Sequence, residues 1–175
     1  MYADDLLLVS ASVSGLQSML DIHVCYSYGI DNNITFNHKK SVRVMVGPNR
    51  PKSVAHLYLG NMRLEWADNL EYLGIMFSAV SALSVNTSYI KRKFYMACNG
   101  ILGYWRSVTE FVKLRLVRAF CLPLLTYCVG ALDLTDSCIR ELAVCWNDSF
   151  RKILGYRRHE SVKLLLYYCS ELPFE

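Results

Sequence analysis

The chain changes its hydrophobic rhythm near residue 80. Before that point the apolar positions come in short runs or alternate with polar ones. Leu6-Leu7-Leu8-Val9 is apolar at both parities, which predicts a short strand buried on both faces. Ser14 and Gln17 have capping-box spacing, and Leu16, Met19, Leu20 and Val24 follow at helical intervals, so a helix is expected over 14–28 with Gly29 as its left-handed terminator. Asp31-Asn32-Asn33 is turn chemistry, and Ile34-Thr35-Phe36 reads as a short strand. Val42, Val44 and Val46 alternate with Arg43 and Met45, the period-2 pattern of a half-buried strand. Residues 57–66 predict a hairpin about Gly60-Asn61, with Leu57 and Leu59 facing Met62 and Leu64. Residues 71–77 read as one further strand, ended by the Ser/Ala-rich stretch at 78–84.

Beyond residue 80 the period is helical. Ile90, Phe94, Ala97 and Ile101 make one stripe, started by Asn86 or Thr87. Thr109 can cap a second helix, which Pro123 must kink or stop. Asp136 can cap a third, carrying Ile139, Leu142, Trp146, Phe150 and Ile153 before Gly155, and a short helix is expected over 161–169. The expected class is therefore α+β: a small antiparallel sheet with one or two helices over residues 1–80, then an all-α bundle over 81–175.

Composition adds three constraints. Hydrophobic residues make up 53% of the 175-residue chain and mean hydropathy is +0.20, somewhat apolar for a soluble domain. Either the core is large or an apolar surface awaits a partner. The uncharged stretch 119–132 is broken by Pro123 and falls short of the roughly 20 apolar residues that span a bilayer, and no basic-then-apolar leader opens the sequence. No membrane association is expected. Seven cysteines, none in a CxxC pair, read as small buried hydrophobes in a reducing, intracellular compartment, with nucleus and cytoplasm left open. The four histidines have no ligand-like spacing. Charge is uneven: the first eighty residues carry six Lys/Arg against seven Asp/Glu, the remainder thirteen against eight. An acidic tip followed by a basic half suits a metal site beside a polyanion grip.

The acidic tip is Asp4-Asp5, set directly against the apolar run. One or two carboxylates plus substrate phosphates are what Mg²⁺ takes in phosphoryl and nucleotidyl transfer, and a tight hairpin tip holds such a pair rigid and exposed. A plain polar turn is the competing account. The stretch Tyr2-Ala3-Asp4-Asp5 followed by an apolar strand resembles the catalytic hairpin of reverse transcriptases. Further landmarks arrive in family order. "YGIDNNITFNHKKS" resembles the family's G-apolar-x-x-N-x-x-K-S/T stretch. "LYLGNMRLEWADNLEYLGIMF" resembles the hairpin leading to the YLG of the primer-grip region. "RAFCLPLLTY" and "WNDSFRKILG" resemble thumb segments of non-LTR (LINE-type) retrotransposon polymerases. The resemblance runs from residue 1 to about 156.

It implies an RNA-directed DNA polymerase of a transposable element, with a partial palm over 1–80 and a thumb-like region over 81–175. Asp4 would be a direct ligand of catalytic Mg²⁺ (or Mn²⁺), and Asp5 a second, weaker or indirect one. Tyr2 would lie near the primer end or incoming dNTP. Lys40 would protonate the pyrophosphate leaving group, with a solvated charged turn as the alternative for Lys39-Lys40. Tyr72, Leu73 and Gly74 would form the primer grip. RNA template and DNA primer would be the partners. The family's centre also needs a carboxylate from a strand upstream of this motif, so the chain reads as a carboxy-terminal palm-and-thumb fragment, inactive alone, whose sheet edge beside residues 6–9 invites self-association.

Two other readings stand beside this one. Lys91, Arg92, Lys93, Lys113, Arg115, Arg118, Arg151 and Lys152, with Arg157 and Arg158 and the aromatics Tyr95, Tyr104, Trp105 and Tyr156 among them, suit a non-catalytic nucleic-acid binder. The other is an interaction module that offers apolar faces to a protein partner.

Overall fold

A computed structural model describes the chain apart from residues 1–4, 22–25, 38, 49–53, 105–106, 128, 133, 171–172 and 175. The fold is mixed α+β with a helical carboxy-terminal region. It divides into two compact units, Met1–Val85 and Asn86–Glu175. The division falls after residue 85 rather than 80 because a strand at Leu83–Val85 still pairs back into the first unit.

The first unit opens without the expected strand. Residues 6–9 carry no ladder, and Leu6, Leu7 and Val9 are exposed, Val9 at 76%. A strand exists only through a hydrogen-bonded neighbour, and this run has none among the described residues. Only Leu8 packs inward, against a small core of Leu20, Leu57 and Leu64. Helix α1 (Val13–Asp21) begins two residues earlier than the capping-box spacing suggests. Its cap is Ser12, whose Oγ accepts from the Gly15 N–H at 3.1 Å. Gln17 is thereby freed to act as a strand surrogate: the Tyr58 N–H donates to its Oε1 at 2.8 Å, and its Nε2 donates to the Tyr58 carbonyl at 3.0 Å. Val24 lies outside the described residues.

Helix α2 (Tyr26–Asp31) contains Gly29 instead of ending on it. The left-handed residue is Asn33, with φ 55°, which Asn tolerates better than most residues. The Ile34 N–H donates to the Gly29 carbonyl at 2.7 Å, so its donor serves the helix end and the expected strand at 34–36 does not form. The alternating valines also behave differently from expectation. Strand β1 is only Val42–Arg43, and it puts Arg43 inside at 3% exposure while Val42 faces out. Arg43 is drawn in by the Trp66 ring, which its guanidinium overlies at 4.2 Å, and by the Ala55 carbonyl, which accepts from Nη1 at 3.2 Å.

The hairpin at residues 57–66 forms as expected. β2 (Tyr58–Leu59) pairs antiparallel with β3 (Met62–Arg63), Leu59 opposite Met62, and the Leu64 N–H donates to the Leu57 carbonyl at 2.9 Å. β4 (Glu65–Trp66) then runs parallel to β1. The stretch expected as one strand at 71–77 is instead a second hairpin. β5 (Asn69–Tyr72) and β6 (Ile75–Ala79) pair antiparallel, with Tyr72 opposite Ile75, and β7 (Leu83–Val85) extends the sheet on the far side of β6.

The second unit is built on helical stripes. α3 (Thr87–Tyr104) is capped by Asn86, whose Oδ1 accepts from the Tyr89 N–H at 3.2 Å. α4 (Glu110–Phe120) starts after Thr109, and Pro123 ends the run by opening the short α5 (Leu122–Thr126). A 3₁₀ turn at Val129–Ala131 leads to α6 (Asp136–Leu154). Thr135 caps α6, with Asp136 its first residue, and Gly155 at φ 74° closes it. α7 (Lys163–Tyr168) follows. Leu142, Trp146, Phe150 and Ile153 of α6 are buried with Phe94 and Cys98 of α3, Val117 of α4 and Leu125 of α5. Trp146 meets Phe150 edge-on, with ring centroids 5.0 Å apart. The Cys98 thiol is pushed well above its ordinary value by a hydrogen bond shared with the Cys121 thiol and by burial. These cysteines are core residues, as expected. No described helix is long and apolar enough to cross a membrane.

Candidate functional site

Asp5 is the described member of the acid pair; Tyr2 and Asp4 lie outside the described residues. Asp5 is exposed and makes an isolated bridge at the start of the chain. Its carboxylate reaches across the first unit: Oδ2 accepts a hydrogen bond from the Leu73 N–H at 3.3 Å. Leu73 is the middle residue of the YLG segment, so two motifs nearly seventy positions apart meet directly.

What Asp5 touches is an unusual turn. Leu73 and Gly74 are the central residues of the β5–β6 hairpin, and both have positive φ, 51° and 76°. Two successive left-handed residues match the twist of antiparallel strands, which is why such turns favour Asn-Gly or Gly-Gly. Gly74 satisfies the requirement without strain. Leu73 does not, since a bulky side chain is a genuine outlier at positive φ. Sequence reasoning took this stretch for a straight strand because Leu is not a turn residue.

Lys40 sits in an Asx turn made by Asn37. The Lys39 and Lys40 N–H groups donate to Asn37 Oδ1 at 3.1 and 3.4 Å. Both lysines are exposed, and no ion pair among the described residues links Lys40 to Asp5. Tyr72 is half-buried on β5. Among the described residues no three His, Cys, Asp or Glu side chains converge. An Mg²⁺ ion at Asp5 would need Asp4, water and substrate phosphates for its remaining positions. A feature missed from sequence lies elsewhere in this unit. Arg43 Nε and Nη2 and Trp66 Nε1 are buried without a hydrogen-bond partner among the described residues, and burial lowers the Arg43 pKa.

The basic residues of the second unit separate into two groups. Lys91 is bound to Glu141, Nζ to Oε2 2.7 Å, in a pair that Thr87 Oγ1 joins at 3.0 Å. That hydrogen bond from Lys91 pulls the Glu141 carboxyl below its usual range. Arg151 donates to Asp148 Oδ1 at 2.8 Å and, through Nε, to the Glu160 carbonyl at 3.0 Å. Asp148 also accepts from the Tyr95 hydroxyl at 3.2 Å, and burial raises the Tyr95 pKa. These three groups hold α3, α6 and the following turn together. Tyr95 is engaged in that network rather than offered for stacking.

The second group keeps its charge at the surface. Arg92 and Lys93 lie over the Tyr89 ring, at 5.5 and 4.3 Å, and Lys152 lies over Tyr95 at 4.8 Å. Arg115 covers the exposed Phe111 ring at 4.7 Å. With Arg118, Ala119, Leu122, Pro123 and Thr126 it lines an open groove of about 560 Å³. Lys113 is half-buried on the same helix. Tyr104 and Tyr156 are exposed, Tyr104 at 91%; Trp105 lies outside the described residues. The groove along α4 and α5 was not legible beforehand, because it depends on where Pro123 breaks the helix.

No family model matches the chain. No curated protein and no solved structure matches it either.

Proposed function

We propose that the chain is the palm-and-thumb portion of a LINE-type reverse transcriptase. In the complete enzyme it would take part in Mg²⁺-dependent nucleotidyl transfer from dNTP to a DNA primer on an RNA template. The observation that carries this reading is the hydrogen bond between Asp5 and Leu73. The motif order alone requires only that YADD precede YLG. A polymerase palm requires the two to be neighbours, because the ions held by one must meet the primer end held by the other.

The assignments follow the resemblance. Asp4 and Asp5 hold the ion, Lys40 waits near the leaving group, and the backbone of Tyr72, Leu73 and Gly74 faces the primer. Arg92, Lys93, Lys113, Arg115, Arg118 and Lys152 meet phosphates. Lys91 and Arg151 support the helical unit through their ion pairs. When bound, Mg²⁺ would supply charge stabilisation for the entering and departing oxygens. The protein would supply two carboxylates to position it. A nucleic-acid binder without catalysis is the second reading, favoured by the groove beside Arg115 and Arg118.

Two carboxylates alone leave a pair of ions under-coordinated. The isolated chain is therefore expected to give no incorporation on poly(rA)/oligo(dT) with Mg²⁺ and dTTP. Incorporation that persists in Asp4→Ala and Asp5→Ala would contradict the assigned roles of both residues. Incorporation lost in both would support those roles and overturn the inference that the isolated chain is inactive.

A further inference from the structure

We propose that Asp5 is a positioning residue: its carboxylate locks the left-handed Leu73–Gly74 turn. The premises are independent of each other. Leu73 is held at φ 51°, a conformation that a branched, bulky residue adopts at an energetic cost. Strain of that kind persists only where the surroundings over-determine it. Register supplies part of this, since Tyr72 and Ile75 are paired directly across the turn. A further part is the hydrogen bond from the Leu73 N–H to Asp5 Oδ2, which fixes the orientation of the peptide plane entering the turn. A carboxylate accepting from a backbone N–H makes a charge-assisted bond, stronger than one between neutral groups.

The consequence of the clamp is geometric: the backbone that would face the primer terminus is referenced to the acid pair. Calling that backbone a primer grip rests on the reverse-transcriptase reading, whereas the clamp does not. The two can therefore fail separately.

The test is amide hydrogen exchange at Leu73, followed by NMR in the unaltered chain, Asp5→Asn, Asp5→Leu and Asp5→Ala, without metal or nucleic acid. Asp5→Ala is expected to speed exchange at Leu73 about fivefold or more, the worth of one hydrogen bond. Asp5→Asn keeps an acceptor oxygen without its charge and is expected to restore part of the protection, whereas Asp5→Leu, of similar size but with no acceptor, is expected to behave like Ala. Equal exchange in all four proteins would overturn the proposal, as would Asn behaving like Ala. Should Asp5→Ala fail to fold, Leu73→Gly in the same chain is expected to restore folding, because Gly adopts positive φ unaided. No restoration would equally overturn the clamp.

Discussion

Trp146→Ala is expected to abolish cooperative unfolding of the helical unit. Trp146 is 2% exposed and stands edge-on to Phe150 at the centre of the α6 stripe. Removing a buried Trp costs about 3–5 kcal/mol through lost transfer energy and the cavity left behind. A domain holds only about 5–15 kcal/mol in total. The indole also has no replacement within reach: Leu142, Cys145 and Phe150, its nearest partners in sequence, are themselves fully packed. Thermal melts by far-ultraviolet circular dichroism should show a broad, low transition for Trp146→Ala. Val144→Ala on the same helix, 51% exposed, should stay within about 0.5 kcal/mol of the unaltered chain. Comparable melts for both variants would mean that the helices do not share one core.

Binding of an RNA–DNA primer–template hybrid is expected to weaken steeply with salt. About four phosphate contacts would reduce affinity roughly hundredfold between about 50 and about 200 mM salt, because each contact releases a condensed counterion. The candidates are the surface cations over Tyr89 and Tyr95 and the arginine pair beside the α4–α5 groove. Replacing Arg115 and Arg118 together with Ala should lower the slope by about two and leave the melt nearly unchanged. Arg151→Ala should do the opposite. Its guanidinium serves Asp148 and the Glu160 carbonyl, so its loss should lower the melting temperature and leave the slope alone. Fluorescence anisotropy of a labelled hybrid measures the slope. A flat salt response would remove polyanion binding from the account.

The helical half was legible in the sequence because each of its decisions is local. The stripe from Leu142 to Ile153, the Asn86 cap, the Pro123 break and the Gly155 terminator each depend on residues within a turn or two. The first half was legible only where a turn signal was explicit, as at Gly60-Asn61. Its strands are two to five residues long, and pairing over so short a span is chosen by tertiary neighbours. That is why the buried side of β1 carries Arg43 rather than valine: Trp66, far along the chain, offers a ring for the guanidinium. The same limit hid the Leu73–Gly74 turn, which rests partly on a hydrogen bond to Asp5. The choice of Ser12 over Ser14 as cap follows this pattern, since Gln17 is better used on Tyr58 than in a capping box.

The polymerase reading depends on a divalent ion seated at the acid pair within reach of the Leu73–Gly74 turn. Substoichiometric Mn²⁺ added to the isotopically labelled chain tests this directly through paramagnetic broadening of amide signals. The account predicts broadening at Asp5, Leu73 and Gly74 that disappears in Asp4→Ala. Broadening centred on other carboxylates, or unchanged by Asp4→Ala, would contradict it.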